Sequence, residues 1–177
     1  MPNHVKNVLT FKNLKPDEIE FIVNTIASPL DHPEDDYSNY AIDFNKIIPE
    51  PRFEEECPDE YKVNKDSGVS PLEDKPWFDW YKWRLTHWET KWNAYDCYSM
   101  KGKDCITFVF STAWSMAHPV IEQLHLLGFQ FELAYADEDW GSNCGTLSYD
   151  GNADITWQTE TDLKDPGEFA RNLWDEY

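Results

Sequence analysis

A chain of 177 residues with 41% hydrophobic and 16% aromatic side chains can bury one full core, so a single domain over residues 1–177 is expected. No apolar run approaches the roughly 20 residues that span a bilayer, and MPNHVKNVLTFKNLKPDE lacks the basic start and apolar stretch of an export signal, which points away from membranes and to the cytoplasm. A formal charge of -19 repels nucleic-acid phosphates at long range and disfavours ordinary binding to double-stranded DNA.

Val5 to Phe11 is β-branched and aromatic with rough alternation, and reads as a strand. Pro16 suits the first helical position, Asp17 and Glu18 favour the positive end of the dipole, and Ile19, Ile22, Val23 and Ile26 follow helical spacing until Ser28-Pro29. The acidic run at 31–40 is a loop, and Ala41 to Ile48 is expected to be a second strand, ended by Pro49-Glu50-Pro51. Residues 53–76 show no period and are dense in charge, Pro, Gly and Ser, so a long charged loop is expected there.

Trp77 to Asp96 holds five of the nine tryptophans. On a helical wheel Trp77, Trp80, Tyr81, Leu85, Trp88 and Trp92 fall within an arc of about 140°, which predicts an amphipathic helix with these residues as core and Trp83 outside the arc. Cys105 to Ser111 reads as a strand with Ile106, Phe108 and Phe110 on one face. Pro119 opens a helix carrying Val120, Ile121, Leu124 and Leu127 and closed by Gly128. Strands are expected over 129–135, 145–149 and 155–159, and a helix over 166–177 with Phe169, Leu173 and Trp174 on one side. Early alternation of strands and helices followed by a β-meander defines an α+β sandwich, a mainly antiparallel sheet with helices packed on one face.

The cysteines Cys57, Cys97, Cys105 and Cys144 form no C-x-x-C pair, and without an export signal they read as free thiols. Neither a zinc pattern nor the D-x-D-x-D-G calcium loop occurs, so no metal is expected. There is no G-x-S-x-G, P-loop or G-x-G-x-x-G, and no catalytic residue or cofactor is assigned. Two sets of side chains stand out. Lys91, Asn93, Tyr95 and Asp96, with Trp83 and with Trp114 and Ser115 beyond the following strand, could converge on a small polar ligand, or could simply end the helix and cap a turn. The acids Asp35, Asp36, Glu54, Glu55 and Glu56 in one segment and Asp137, Glu138 and Asp139 in another belong to two stretches, 31–60 and 136–177, that each carry 11 acids against 2 bases. They either keep the protein soluble or meet a basic partner.

Four stretches, MPNHVKN, DFNKIIPEP at 43–51, WYKWRLTHWETKWNAYD at 80–96 and FVFSTAWSMAHPVI at 108–121, together resemble the Api92-like, or YubB-like, family carried by phages and plasmids. The resemblance implies a ferredoxin-like domain and residence in mobile genetic elements inside bacterial hosts, and brings with it no established enzymatic activity. Two positions depart from the family pattern. Glu89 stands where members usually have Gly before TKWN, and Met116-Ala117 stand where prolines commonly follow TAWS. The expected function is that of a non-enzymatic acidic interaction protein for a host DNA-handling or defence protein. The alternative is a small-molecule or nucleotide-binding module, or an enzyme, built on the Trp/Lys/Asn/Asp set. A third class, stacking of single-stranded nucleic acid on sheet aromatics, requires a basic rim that the sequence lacks.

Overall fold

The computed structural model describes residues 3–30, 40–52, 55–64, 66–68, 77–151 and 154–177. In chain order the elements are β1 (His4–Phe11), α1 (Pro16–Ile26), β2 (Ala27–Pro29), β3 (Tyr40–Ile42), α2 (Phe44–Ile47), α3 (Trp80–His87) and β4 (Tyr95–Lys101). They continue with β5 (Ile106–Ala113), α4 (His118–Leu126), β6 (Phe131–Asp137), β7 (Cys144–Tyr149), β8 (Thr156–Thr159) and α5 (Pro166–Glu176). Six strands form one antiparallel sheet in the order β4-β5-β1-β6-β7-β8. Taken alone, β1-α1-β4-β5-α4-β6 is the βαββαβ arrangement of a ferredoxin-like fold, extended at one edge by β7 and β8. No helix among the described residues is long and apolar enough to cross a membrane.

The alternation in β1 separates the two faces. Val5, Leu9 and Phe11 sit beside Thr112, Phe108 and Ile106 of β5 and face the main core with Leu133, Phe131 and Leu147. That core is closed by Ile19, Ile22, Val23 and Ile26 of α1 and by Val120, Ile121 and Leu124 of α4. Lys6, Val8 and Thr10 point the other way. There α5 lays Ala170 and Leu173 on Val8, Val109, Ala136 and Cys144, a partial layer added to the helices expected on the first face.

Three elements differ from the sequence reading. The expected strand 41–48 is instead the short β3 followed by α2, because Asp43 caps a helical turn by accepting from the Asn45 amide at 3.0 Å. The Trp-rich helix ends at His87, since Glu89 adopts the left-handed conformation at φ 56°. That also overturns the wheel: Trp83, expected outside the apolar arc, is only 3% exposed, while Tyr81, expected inside it, is 41% exposed. Residues 95–101, where no strand is expected from the sequence, form edge strand β4, whose alternation is broken by a register shift between Tyr95 and Tyr98. The described part of the 53–76 segment includes a 3-10 turn at Asp59–Tyr61 and sends Cys57 and Tyr61 into the core. The loop expected over 31–40 lies outside the described residues apart from Tyr40.

One buried ion pair fixes α3 to the segment before it. Arg84 donates from Nε to Glu50 Oε1 at 2.8 Å and from Nη2 to Oε2 at 3.0 Å, and the Glu50 side chain is fully buried. The guanidinium lies 5.1 Å from the ring centres of both Trp80 and Trp88, and the Trp88 indole N–H donates to the Ile48 carbonyl at 3.0 Å. Removing one partner strands the other charge, so Glu50→Ala should lower unfolding free energy by about 3 kcal/mol, or about 6–12 °C in Tm. Arg84→Lys, which keeps the charge and loses the fork, should fall between. Relief of the left-handed strain at Glu89 should make Glu89→Gly more stable by about 1 kcal/mol in denaturant melts. No gain there would show that the turn is held by its contacts instead.

Candidate functional site

The ends of β1, β4, β5, β6 and β7 that carry His4, Tyr95, Ala113, Asp137 and Cys144 meet at one end of the sheet. Asp137 is the hub there. It is 5% exposed and accepts from Asn3 Nδ2 at 3.3 Å, from the Asp139 amide at 2.9 Å and from Asn143 Nδ2 at 3.1 Å. A buried carboxylate held by neutral donors shapes its own turn, so Asp137 leaves the set of expected partner contacts. Glu138 and Asp139 remain exposed. Glu138 Oε1 accepts from the His4 amide at 2.9 Å, and Asp139 Oδ2 accepts from Asn3 Nδ2 at 2.7 Å, which locks the acidic turn to the start of β1. No Lys or Arg pairs with either carboxylate among the described residues.

Aromatic groups lie beside this turn. Trp114 is 40% exposed at φ 74°, its carbonyl accepting from Asn143 Nδ2 at 2.9 Å. Lys91 Nζ lies 4.7 Å from the Trp92 ring centre and 5.8 Å from that of Trp114, and Tyr81 meets Trp114 edge-on at 6.4 Å. Ser115 Oγ donates to the Glu89 carbonyl and so closes the turn after α3 against the end of β5. Trp140, within the acidic turn, is 53% exposed with the Arg171 guanidinium 5.3 Å from its ring centre.

The sequence-derived ligand set therefore divides. Lys91, Tyr95, Trp114 and Ser115 gather at this end of the sheet. Trp83 does not: it is stacked on His87 at 4.3 Å inside the core, which removes it as an exposed platform. Asn93 is occupied by structure, accepting from the Phe44 and Ala94 amides at 2.9 Å each and donating to Asp43 at 2.9 Å. Asp96 lines a cavity on the opposite side of the sheet from the main core. Of the acidic segment 31–60, Glu55 and Glu56 are exposed, Glu56 accepting from the Arg52 amide at 3.2 Å, while Asp35, Asp36 and Glu54 lie outside the described residues. Sequence reasoning passed over Asn3, His4 and Asn143, whose roles depend on strand ends meeting in space. Trp140, directly after the acidic run, was legible as an aromatic beside carboxylates. Among the described residues no three His, Cys, Asp or Glu side chains gather as a metal group.

The fold and this sheet end define a ferredoxin-like α+β protein with an acidic and aromatic surface. The family described as ferredoxin-like domain in Api92-like protein matches residues 87–174, and this stretch of the chain belongs to it. Nothing among the curated proteins or the solved structures matches the chain.

Tyr95 gives this end of the sheet a measurable signature. Its hydroxyl donates to the Thr112 carbonyl at 3.1 Å and lies 2.6 Å from His4 Nδ1, which in that arrangement carries the proton and donates to it. Burial first, then the charges of Asp96 and Glu138, push its pKa from 10.0 up to about 12. A phenol whose proton is held more tightly when folded stabilises fully below pH 10, and that contribution is lost as pH rises toward 12. The wild-type chain should therefore lose stability more steeply than Tyr95→Phe across this window in pH-dependent denaturant melts. Parallel curves would refute the assignment.

Proposed function

We propose that this protein is a non-enzymatic interaction protein that binds a basic, DNA-handling protein of a bacterial host through the acidic and aromatic end of its sheet. The carrying observation is that the exposed rings of Tyr81, Trp114 and Trp140 accompany Glu138 and Asp139, carboxylates with no cationic partner among the described residues. Large, stiff aromatic side chains contribute most of the affinity in protein interfaces, while surrounding charge steers encounter and selects partners. The exposed pair Glu55 and Glu56 adds to the negative field. Residence in a phage or plasmid inside a bacterial host is what the family resemblance implies. In the sharper form of the reading, carboxylates take the place of DNA phosphates on a defence enzyme.

The test is capture of DNA-binding proteins from nuclease-treated bacterial lysate, followed by competition of the captured protein with duplex DNA. Raising ionic strength from about 0.01 to 0.15 M shortens the screening length from about 30 to 8 Å and should release the partner. Charge reversal by Glu138→Lys with Asp139→Lys should abolish capture, and Trp114→Ala should weaken it about tenfold or more. Capture indifferent to salt and to charge reversal would sink the reading.

A further inference from the structure

The six-stranded sheet has two edges, β4 and β8, and they meet solvent differently. β4 is blunted by its register shift and by the charged Asp96 and Lys101, devices that keep an edge from pairing with another chain. β8 has neither. Its residues Thr156, Trp157, Gln158 and Thr159 include no charge and no proline, and the first three are exposed. Among the described residues only β7 pairs with it.

Backbone groups of successive strand residues point alternately to one neighbouring strand and to the other. The Gln158 carbonyl faces β7, since a side chain on Gly145 would collide with it. Thr159 faces the other way, its amide donating to Asp162 Oδ2 and its carbonyl accepting from the Asp162 amide, each at 2.9 Å. Trp157 shares the parity of Thr159, so its N–H and C=O point outward, where none of the described residues bonds to them. Ile155 packs on the main core, which continues the alternation and adds a second outward pair.

The flanks give this edge a sign. The segment from Asp154 to Asp162, DITWQTETD, has three acids and no base. Asp154, Glu160 and Asp162 form no ion pair with Lys or Arg among the described residues. Between them the Trp157 ring is 47% exposed, held by stacking on His118 at 5.0 Å and by its indole N–H, which donates to Tyr135 Oη at 3.2 Å. A strand added beside β8 would set its nearest side chain about 4.5–5.5 Å away on the same face, where a cation can meet the ring. A second copy of the chain is the wrong occupant. Pairing β8 with itself about Trp157 sets Asp154 opposite Glu160, and about Gln158 sets it opposite Asp162, and like charges directly opposite oppose pairing.

We propose that β8 is the docking edge for an extended, lysine-rich segment of a partner protein, which adds as a seventh strand. Its backbone bonds to Trp157 and Ile155, one lysine lies on the Trp157 ring, and its other cations sit in the field of Asp154, Glu160 and Asp162. The inference rests on the proposed function only for the basic character of the partner, and defined peptides test it without that partner.

The full chain is titrated at low salt with a blocked peptide of alternating lysine and valine and followed by NMR. Binding should shift the Trp157 amide and indole signals and slow hydrogen exchange at the Trp157 amide about tenfold. The same peptide N-methylated on its lysine amides, which face the edge, should not bind. Methylation of its valine amides, which face solvent, should leave binding intact, and a peptide of alternating glutamate and valine should not bind. Asp154→Asn with Glu160→Gln should weaken binding about fivefold. Equal effects of the two methylations, unchanged exchange at Trp157, or shifts confined to Trp114 and Trp140 would each overturn the assignment. Failure to capture a DNA-handling protein, with the peptide still bound at β8, would overturn the reading of the sheet end alone.

Discussion

The structure depends on one strand having a partner on both sides. β1 pairs along its length with β5 and along most of it with β6, and these two strands do not touch without it. The stretch that matches the family, residues 87–174, contains β5 and β6 but not the strand between them. Val5, Leu9 and Phe11 are each fully buried, and each contributes about 1.5–3 kcal/mol on burial. β1 also reaches the acidic end of the sheet: Asn3 and His4 at its start hold the acidic turn. A defect in β1 would therefore disturb the fold and that surface together.

The few cations are used in an unusual way for so acidic a chain. Among the described residues, Lys6, Lys82, Arg84, Lys91 and Arg171 lie over aromatic rings, whereas ion pairs involve Lys12, Lys62 and Arg84. An exposed cation–π contact is worth about 0.5–1 kcal/mol, comparable to a surface ion pair. Placing cations on rings leaves carboxylates such as Glu138 and Asp139 unneutralised. The tryptophans consequently divide by role. Trp83 and Trp88 fill the core, Trp80 and Trp92 seat cations at its margin, and Trp114 and Trp140, each with a cation near one face, keep the rest of their rings exposed beside the acidic turn.

Elements with a clean period were legible in the sequence. The 3.6-residue spacing of Ile19 to Ile26, the Pro119 helix, and the alternation in β1, β5 and β6 are local properties that packing did not override. What failed had a local cause of another kind. Ala41 to Ile48 looks like a strand by composition, yet the Asp43 cap and the contacts of Asn93 make its second half helical. A wheel drawn over Trp77 to Trp92 assumed one continuous helix, and the left-handed turn at Glu89 ended it after two turns. The site was legible only as separate pieces. Trp114 and the acidic run were visible as residue types, but their meeting with Asn3, His4 and Asn143 follows from strand pairing and carries no sequence signal.

The position of α5 bears on which molecules this sheet can meet. A ferredoxin-like sheet with a bare face can offer aromatic rings to unstacked bases, flanked by cations for the backbone. Here Ala170 and Leu173 cover Val8, Ala136 and Cys144, so the central strands are already occupied. What stays open is the strip beside β4, with Tyr98 and one central lysine, bordered by Asp96. Such a strip is too short for a run of bases, and one lysine gives it no cationic rim for a phosphate backbone. The exposed rings of Tyr81, Trp114 and Trp140 lie at the sheet's end near Glu138 and Asp139, where a phosphate backbone would be repelled. Occlusion and electrostatics thus act in the same direction, away from a nucleic-acid strand and toward a basic protein surface at the end of the sheet.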